Sequence, residues 1–236
     1  MATTASPPWR TDRLTSQTWA DFVTLFSRGN GWDYCNCMYF QRGGELPARQ
    51  FRTRSEREEQ NAKDKCELVE QGRAHGILVY DGESPIGWCQ FGRVDELPVA
   101  ELAHRRTTAT PPLVPDWRIT CFVTDRRYRQ RGVATTALHA ALEAIQISGG
   151  GVVEATPIAG WTRGPQAAPQ RHVDGLGTVV AARGTFGHVT TQGTVAMFKQ
   201  AGFQAIAILD SDSKQAISGR PPESHVIMRL PISSRS

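Results

Sequence analysis

No stretch of this sequence approaches the ~20 consecutive apolar residues that a membrane-spanning helix requires, so no bilayer span is expected. The opening residues MATTASPPWR lack the basic and then apolar segments of a secretory signal, which makes the cytosol the expected compartment. Two phosphate-binding motifs are missing as well. There is no G-x-x-x-x-G-K-[ST] and no G-x-G-x-x-G opening a βαβ unit, so neither P-loop nor dinucleotide-fold chemistry is expected. Metal-ligand spacing is equally scarce. Cys35 and Cys37 form a C-x-C with no companion C-x-x-C or H-x3-H pair, so no metal is expected. The cysteine count is five, an odd number, and reduced thiols used for packing explain it best. No fixed-period repeat is present, which excludes a solenoid.

What is present fits one soluble globular core, with 39% apolar and 21% charged residues over 236 positions. Residues 1–72 read as an N-terminal helical region of that same domain that lines the substrate site, and residues 73–236 as the main core. The net charge of +4 is less informative than its placement. Arg126, Arg127, Arg129 and Arg131 fall within six residues beside a glycine, while charges of both signs interleave from Ser55 to Glu70. Such a local cluster suits a compact polyanion. Only Tyr128 offers a stacking surface among those arginines, so nucleic acid is not expected as a partner.

Residues 1–12 read as loose. Trp19, Phe22, Val23 and Phe26 have helical spacing, ended by Gly29-Asn30-Gly31. The aromatic and sulfur-rich run 32–40 suits core packing or an aromatic pocket wall. Ser55 and Glu58 have capping-box spacing, which predicts a helix to Gly72. Its weak apolar stripe of Ala62, Cys66 and Val69 places that helix on the surface, over a ligand or the partner subunit of a homodimer. Residues 76–80 and 86–91 read as a β-hairpin, 95–116 as a loop with at most one helical turn, and 117–123 as a strand. From Val133 the positions Ala137, Leu138, Ala141, Leu142 and Ile145 keep the 3.6-residue period up to Gly149-Gly150-Gly151. A strand at 152–155 is stopped by Pro157, 159–187 reads as a long loop, and a helix at 194–200 precedes two apolar runs at 203–209 and 225–230. The fold class is therefore α/β or α+β with a mixed sheet.

The chemically pointed segment is Arg129-Gln130-Arg131-Gly132-Val133-Ala134, set between a strand and a helix. A helix N-terminus offers unpaired N–H groups and the positive end of a dipole, so a glycine-bearing turn entering a helix is a natural seat for pyrophosphate. Gly132 removes a Cβ where backbone would meet phosphate, and Ala134 keeps the next approach small.

Taken with its flanks, the run Ile119 to Leu142 (ITCFVTDRRYRQRGVATTALHAAL) resembles motif A of the GNAT superfamily of N-acetyltransferases, whose turn is written Q/R-x-x-G-x-G/A. Arg129, Gly132 and Ala134 fill its defining positions. Met197 to Phe203 is similar to the Y-x-x-x-G-F helix end of the same superfamily, with Phe198 where tyrosine is usual. The resemblance runs from about Gly76 to Leu230. The N-terminal third resembles a bacterial branch that carries a C-x-C-M element and a G-W-C strand, here Cys35 to Met38 and Gly87 to Cys89.

The resemblance implies a mostly antiparallel central sheet flanked by helices, splayed at its central strands, with acetyl-CoA as co-substrate in the wedge. Backbone groups of Phe122 and Val123 would hold the pantetheine amides and face the thioester oxygen. Arg131, Gly132, Val133, Ala134 and Thr135 would hold the pyrophosphate, with Arg129, Gln130 and Phe198 also bordering the cofactor. An amine would attack the thioester directly, through an oxyanion that a strand N–H stabilises. An amine of pKa ~10.4 is free base at a cost of roughly 4–5 kcal/mol at neutral pH, so a general base matters. Glu154 is the expected candidate, with His188 and Asp116 as others. Phe198 cannot supply the proton that the usual tyrosine gives the departing thiolate, whose protonation is worth only roughly 2 kcal/mol. Thr194 or Tyr39 could substitute. The alternative is a non-catalytic acyl-CoA sensor or interaction module on the same fold. The acceptor amine, on a small molecule or a protein, is left unspecified.

Overall fold

The structure is a computed structural model that describes residues 9–30, 33–42, 53–98, 114–157, 161–163, 170–173, 177–180, 182–184, 192–209 and 225–235. Its strands run in chain order as β1 (Arg10–Arg13), β2 (His75–Asp81), β3 (Ser84–Arg93), β4 (Trp117–Thr124), β5 (Gly151–Ala155), β6 (Trp161–Arg163), β7 (Gln170–Val173), β8 (Gly177–Val180), β9 (Ala182–Gly184), β10 (Gln204–Leu209) and β11 (His225–Ile232). The helices are α1 (Trp19–Phe26), α2 (Met38–Gln41), α3 (Arg54–Glu70), α4 (Val133–Ile147) and α5 (Val195–Gln200).

Seven strands form one open sheet in the order β1-β2-β3-β4-β5-β11-β10. Every neighbouring pair is antiparallel except β4 and β5, which are parallel. That one parallel pair needs a crossover, and α4 provides it.

Two cores lie on the two sheet faces. On one, the apolar stripe of α4 (Val133, Ala137, Leu138, Ala141, Ile145) packs with Ile77, Val79, Cys89, Ile119 and Phe122, and α5 adds Met197 and Phe198. On the other, Phe22, Leu25 and Phe26 of α1 pack with Leu78, Tyr80, Trp88, Cys121, Val123 and Cys37. Gly76 is required at its place on that face, because a Cβ there would lie 1.9 Å from Trp88 Cη2.

Several expectations need correction. Residues 10–13 are not loose but form an edge strand on β2, and their polar sequence suits an edge. The capping box of α3 is Thr53 with Glu56 rather than Ser55 with Glu58. The fully buried residues of α3 are Asn61 and Lys65, while of the Ala62, Cys66 and Val69 stripe all three are half-buried and Val69 packs against the α1-side core. The stretch read as a loop holds two small sheets, β6 with β9 and β7 with β8.

Candidate active site

β4 and β5 pair over only three positions, Trp117↔Val153, Arg118↔Glu154 and Ile119↔Ala155. Two features end the pairing. Thr120 is an extra residue in β4, since Gln90 faces Cys121 while Phe91 faces Ile119. β5 itself stops at Ala155, two residues before Pro157. The bulge shifts the alternation of side chains. Trp117, Ile119 and Phe122 face α4, whereas Cys121 and Val123 face α1. From Thr120 onward β4 keeps β3 on one edge and, among the described residues, has no strand on the other. Phe122 and Val123 therefore stand at an open wedge.

The chain leaves β4 through a short 3-10 turn, Arg126–Tyr128, whose N-cap Asp125 accepts from Arg127 N. Gln130 and Gly132 then adopt left-handed conformations, with φ of 61° and 83°. α4 begins at Val133 without a side-chain cap, and its first internal acceptor is the Gly132 carbonyl, taken by Thr136 N. The N–H groups of Val133, Ala134 and Thr135 thus have no acceptor within the helix. A Cβ on Gly132 would meet nothing within 4 Å, so glycine is needed here for its φ and leaves open space beside the turn.

The N-terminal region holds this turn in place. Asn30, just past α1, accepts from Arg126 N through Oδ1 at 3.2 Å and from Arg129 Nη2 through its carbonyl at 3.1 Å. Arg28 donates to the Pro85 carbonyl at 2.8 Å and lies 3.5 Å from Asp125 Oδ2. Arg127 forks onto Asp125 at 3.1 and 2.9 Å and holds that carboxyl below the usual range against the opposing effect of burial. The four clustered arginines thus divide. Arg127 and Arg129 brace the turn through their side chains, while Arg126 and Arg131 are exposed beside it, Arg131 over the Tyr128 ring.

The other expected site residues are dispersed. Glu154 lies one register below the splay, fully buried, and Arg229 Nε and Nη2 donate to its Oε2 at 3.0 and 2.9 Å. Arg118 Nε faces its other oxygen at 3.6 Å. Asp116 accepts from Val152 N at 2.8 Å at the start of β4, which puts it on the order of 20 Å along the strand from Phe122 at ~3.3 Å per residue. Phe198 is fully buried, with ring centroids 6.0 Å from Phe122 and 5.0 Å from Phe203. Thr194 caps α5 by accepting from Met197 N at 3.2 Å, and Tyr39 is exposed against Phe40. His188 lies outside the described residues. Nothing local in the sequence marks Asn30, Arg28 or the Arg118 and Arg229 partners of Glu154, because their roles arise from contacts between distant segments.

The protein thus has an α/β fold in which an open mixed sheet splays at its one parallel pair beside an uncapped helix start. The acetyltransferase (GNAT) family matches residues 40–157, half of the chain, and the chain belongs to that family; it is an acyltransferase. The match ends before the Met197 to Phe203 segment. No curated protein matches the sequence. Solved structures similar in fold include the ribosomal-protein-S18-alanine N-acetyltransferase of Escherichia coli, at 12% identity over 97% of this chain and 96% of that one, with a TM-score of 0.46. Two others are the ribosomal-protein-S5-alanine acetyltransferase of Vibrio fischeri (12% identity, 98% and 97% covered, TM-score 0.48) and a putative GNAT acetyltransferase of Desulfovibrio desulfuricans (12%, 95% and 99%, TM-score 0.48). Acetyl-CoA is the general co-substrate of the family. The uncapped N–H groups, the open space at Gly132 and the unpaired edge of β4 fit such a molecule. Among the described residues no helix is long and apolar enough to cross a membrane, and no group of His, Cys, Asp or Glu could hold a metal ion.

Proposed function

We propose that this chain transfers an acetyl group from acetyl-CoA to a primary amine of a small molecule or a protein by direct attack. The observation that carries this is the juxtaposition of the open β4 edge at Phe122 and Val123 with the uncapped start of α4. Acetyl-CoA supplies the activated acetyl thioester. The N–H groups from Arg131 to Thr135 bind its pyrophosphate, with Arg129 and Gln130 shaping the turn and Phe198 backing the wedge through Phe122. Backbone groups of Phe122 and Val123 orient the pantetheine arm and place a donor toward the thioester oxygen. Glu154 is the carboxylate of β5 closest to the splay, and it can act as a base for the amine only if one of its arginine contacts parts when substrate enters.

At a hundredfold excess over its dissociation constant, acetyl-CoA stabilises the protein by about 2.7 kcal/mol, a rise in Tm of roughly 5–10 °C. Gly132→Glu abolishes the shift, because it strains a left-handed position and places a carboxylate where the pyrophosphate sits. A wild-type protein whose Tm no acyl-CoA moves would refute the proposal. Phe198 without a hydroxyl, and Glu154 held between arginines, favour one second reading, a sensor that binds acyl-CoA without turnover. Release of CoA across a panel of amines, lost in Gly132→Glu, decides for the enzyme.

A further inference from the structure

Behind β4, on the face opposite α4, lies a buried group of side chains that acetyl transfer does not use. Cys37 and Cys121 place their Sγ atoms 3.0 Å apart, one from the turn before α2 and the other from β4. The Trp88 indole Nε1–H donates to Cys37 Sγ at 3.3 Å, and Gln90 Nε2 donates to the Cys37 carbonyl at 3.0 Å. Lys65 reaches in from α3, fully buried, and donates to Gln41 Oε1 at 2.6 Å. Among the described residues no carboxylate forms an ion pair with it, and the sulfurs of Cys37, Cys121 and Cys35, with Glu96 after them, favour its charge against burial.

Backbone conformation adds an independent sign. Asn36 and Cys37 are consecutive left-handed residues, with φ of 45° and 51°. Asparagine tolerates that region, and Asn36 Nδ2 is anchored on the Glu58 carbonyl at 3.2 Å. Cysteine does not favour it, and packing alone would accept an ordinary turn. The strained turn aims one sulfur at another, and strain of this kind concentrates where geometry serves a function.

We propose that Cys37 and Cys121 are a peroxide-oxidised pair that closes to a disulfide, tying the turn before α2 to β4. The tie stands apart from acetyl transfer and does not depend on acyl-CoA binding. The Sγ atoms need to approach by only about 1 Å to reach a bond of ~2.05 Å. In the first step the Cys37 thiolate attacks a peroxide oxygen and the O–O bond breaks. The departing hydroxide takes a proton and leaves as water, and Cys37 becomes a sulfenic acid. In the second step the Cys121 sulfur displaces that hydroxyl, which leaves as water with the Cys121 proton. Overall, hydrogen peroxide is reduced to two waters while two thiols are oxidised to one disulfide.

The surroundings divide these roles among the cysteines. Burial opposes charge on Cys37, but the hydrogen bond with Cys121, the Lys65 ammonium and the Trp88 N–H outweigh it and hold that thiol below its ordinary value. The same hydrogen bond, with burial, pushes Cys121 well up, so it keeps its proton. Cys35 is pushed up to about 11, chiefly by burial, and Cys89 is raised by burial as well. Cys37, whose sulfur also receives the Trp88 N–H at 3.3 Å, is therefore the nucleophile of the set. Peroxide is small enough to reach it through local opening of the fold.

The test is peptide mapping of the native full chain after treatment with excess hydrogen peroxide, alkylation and trypsin. Peptide 29–42, which carries Cys35 and Cys37, becomes joined to peptide 119–126, which carries Cys121. The joined species survives in Cys35→Ser and disappears on reduction and in Cys37→Ala, whose fold is verified by circular dichroism. If Cys37→Ala does not fold, fragment-ion sequencing of the wild-type joined peptide assigns the sulfur. A folded wild-type chain that gives no joined species would overturn the proposal. So would a bond assigned to Cys35 in place of Cys37.

Discussion

The two faces of the central sheet bury different chemistry. Between the sheet and α4 the buried side chains are almost all apolar, and they repeat at the helical period. The opposite face buries Lys65, Gln90, Arg118, Thr120 and Glu154 as well as its aromatic cluster. An apolar face tolerates volume-conserving exchange, because dispersion and burial are non-directional. A buried polar face holds only while each charge keeps its partner. The first face is the scaffold that fixes the start of α4 beside the wedge. The second carries the buried charges, and it is where single substitutions should be most damaging.

The largest expected effect tests that contrast directly. Glu154→Gln leaves the buried Arg118 and Arg229 without their shared carboxylate and should lower unfolding free energy by about 3–5 kcal/mol in urea titration. Ile145→Val on the α4 face, equally buried, should cost only about 0.5–1.5 kcal/mol. Equal losses would erase the distinction between the faces. If Glu154→Gln removes activity while stability is unchanged, Glu154 is a base and not a member of a structural triad.

A smaller and pH-dependent effect comes from Lys65. Burial pulls its ammonium down to about 8, against the opposing pull of Cys37, Cys121, Cys35 and Glu96, and the unfolded chain returns it to ~10.4. Between those values the unfolded state holds more protons than the folded one, so rising pH favours folding. The cost of burying the charge is in full force below about pH 8 and is relieved as pH climbs toward ~10.4. Relative to Lys65→Met, the wild type should therefore gain on the order of a few kcal/mol across that window. A gap that is flat with pH would mean that Lys65 is not a buried ammonium.

The same contrast explains what was legible in the sequence. The α4 stripe, the β2–β3 hairpin, the stop at Pro157 and the Gly132 turn announce themselves locally, through period, turn residues and a missing Cβ. The bulge at Thr120 carries no local mark, because any residue can be the extra one in a strand. Lys65 was invisible for a stronger reason. On a helix reading REEQNAKDKCELVE, a lysine looks like a solvated surface charge, and only the sulfurs and Gln41 of other segments make it an interior residue. Glu154 stands out in the sequence by its position on β5, but the arginines that grip it come from strands 36 and 75 residues away in sequence.

The smallest effect concerns where α3 begins. Thr53-x-x-Glu56 and Ser55-x-x-Glu58 both have capping-box spacing, so local chemistry alone permits either start. In the fold Thr53 Oγ1 accepts from Glu56 N at 3.1 Å and Glu56 Oε2 accepts from Thr53 N at 3.4 Å, whereas Ser55 Oγ bonds only Glu59 Oε1 at 3.2 Å. The earlier start brings Arg54 into the first turn, where its guanidinium lies 5.1 Å from the centre of the Tyr34 ring, with Arg57 at 5.4 Å. A cation over an aromatic face adds roughly 0.5–1 kcal/mol, enough to choose between two near-equal caps. Thr53→Ala should therefore cost about 1 kcal/mol in thermal unfolding and Ser55→Ala less than about 0.5. The reverse order would place the cap at Ser55 and detach Arg54 from Tyr34, leaving the cysteine-bearing turn without that support from α3.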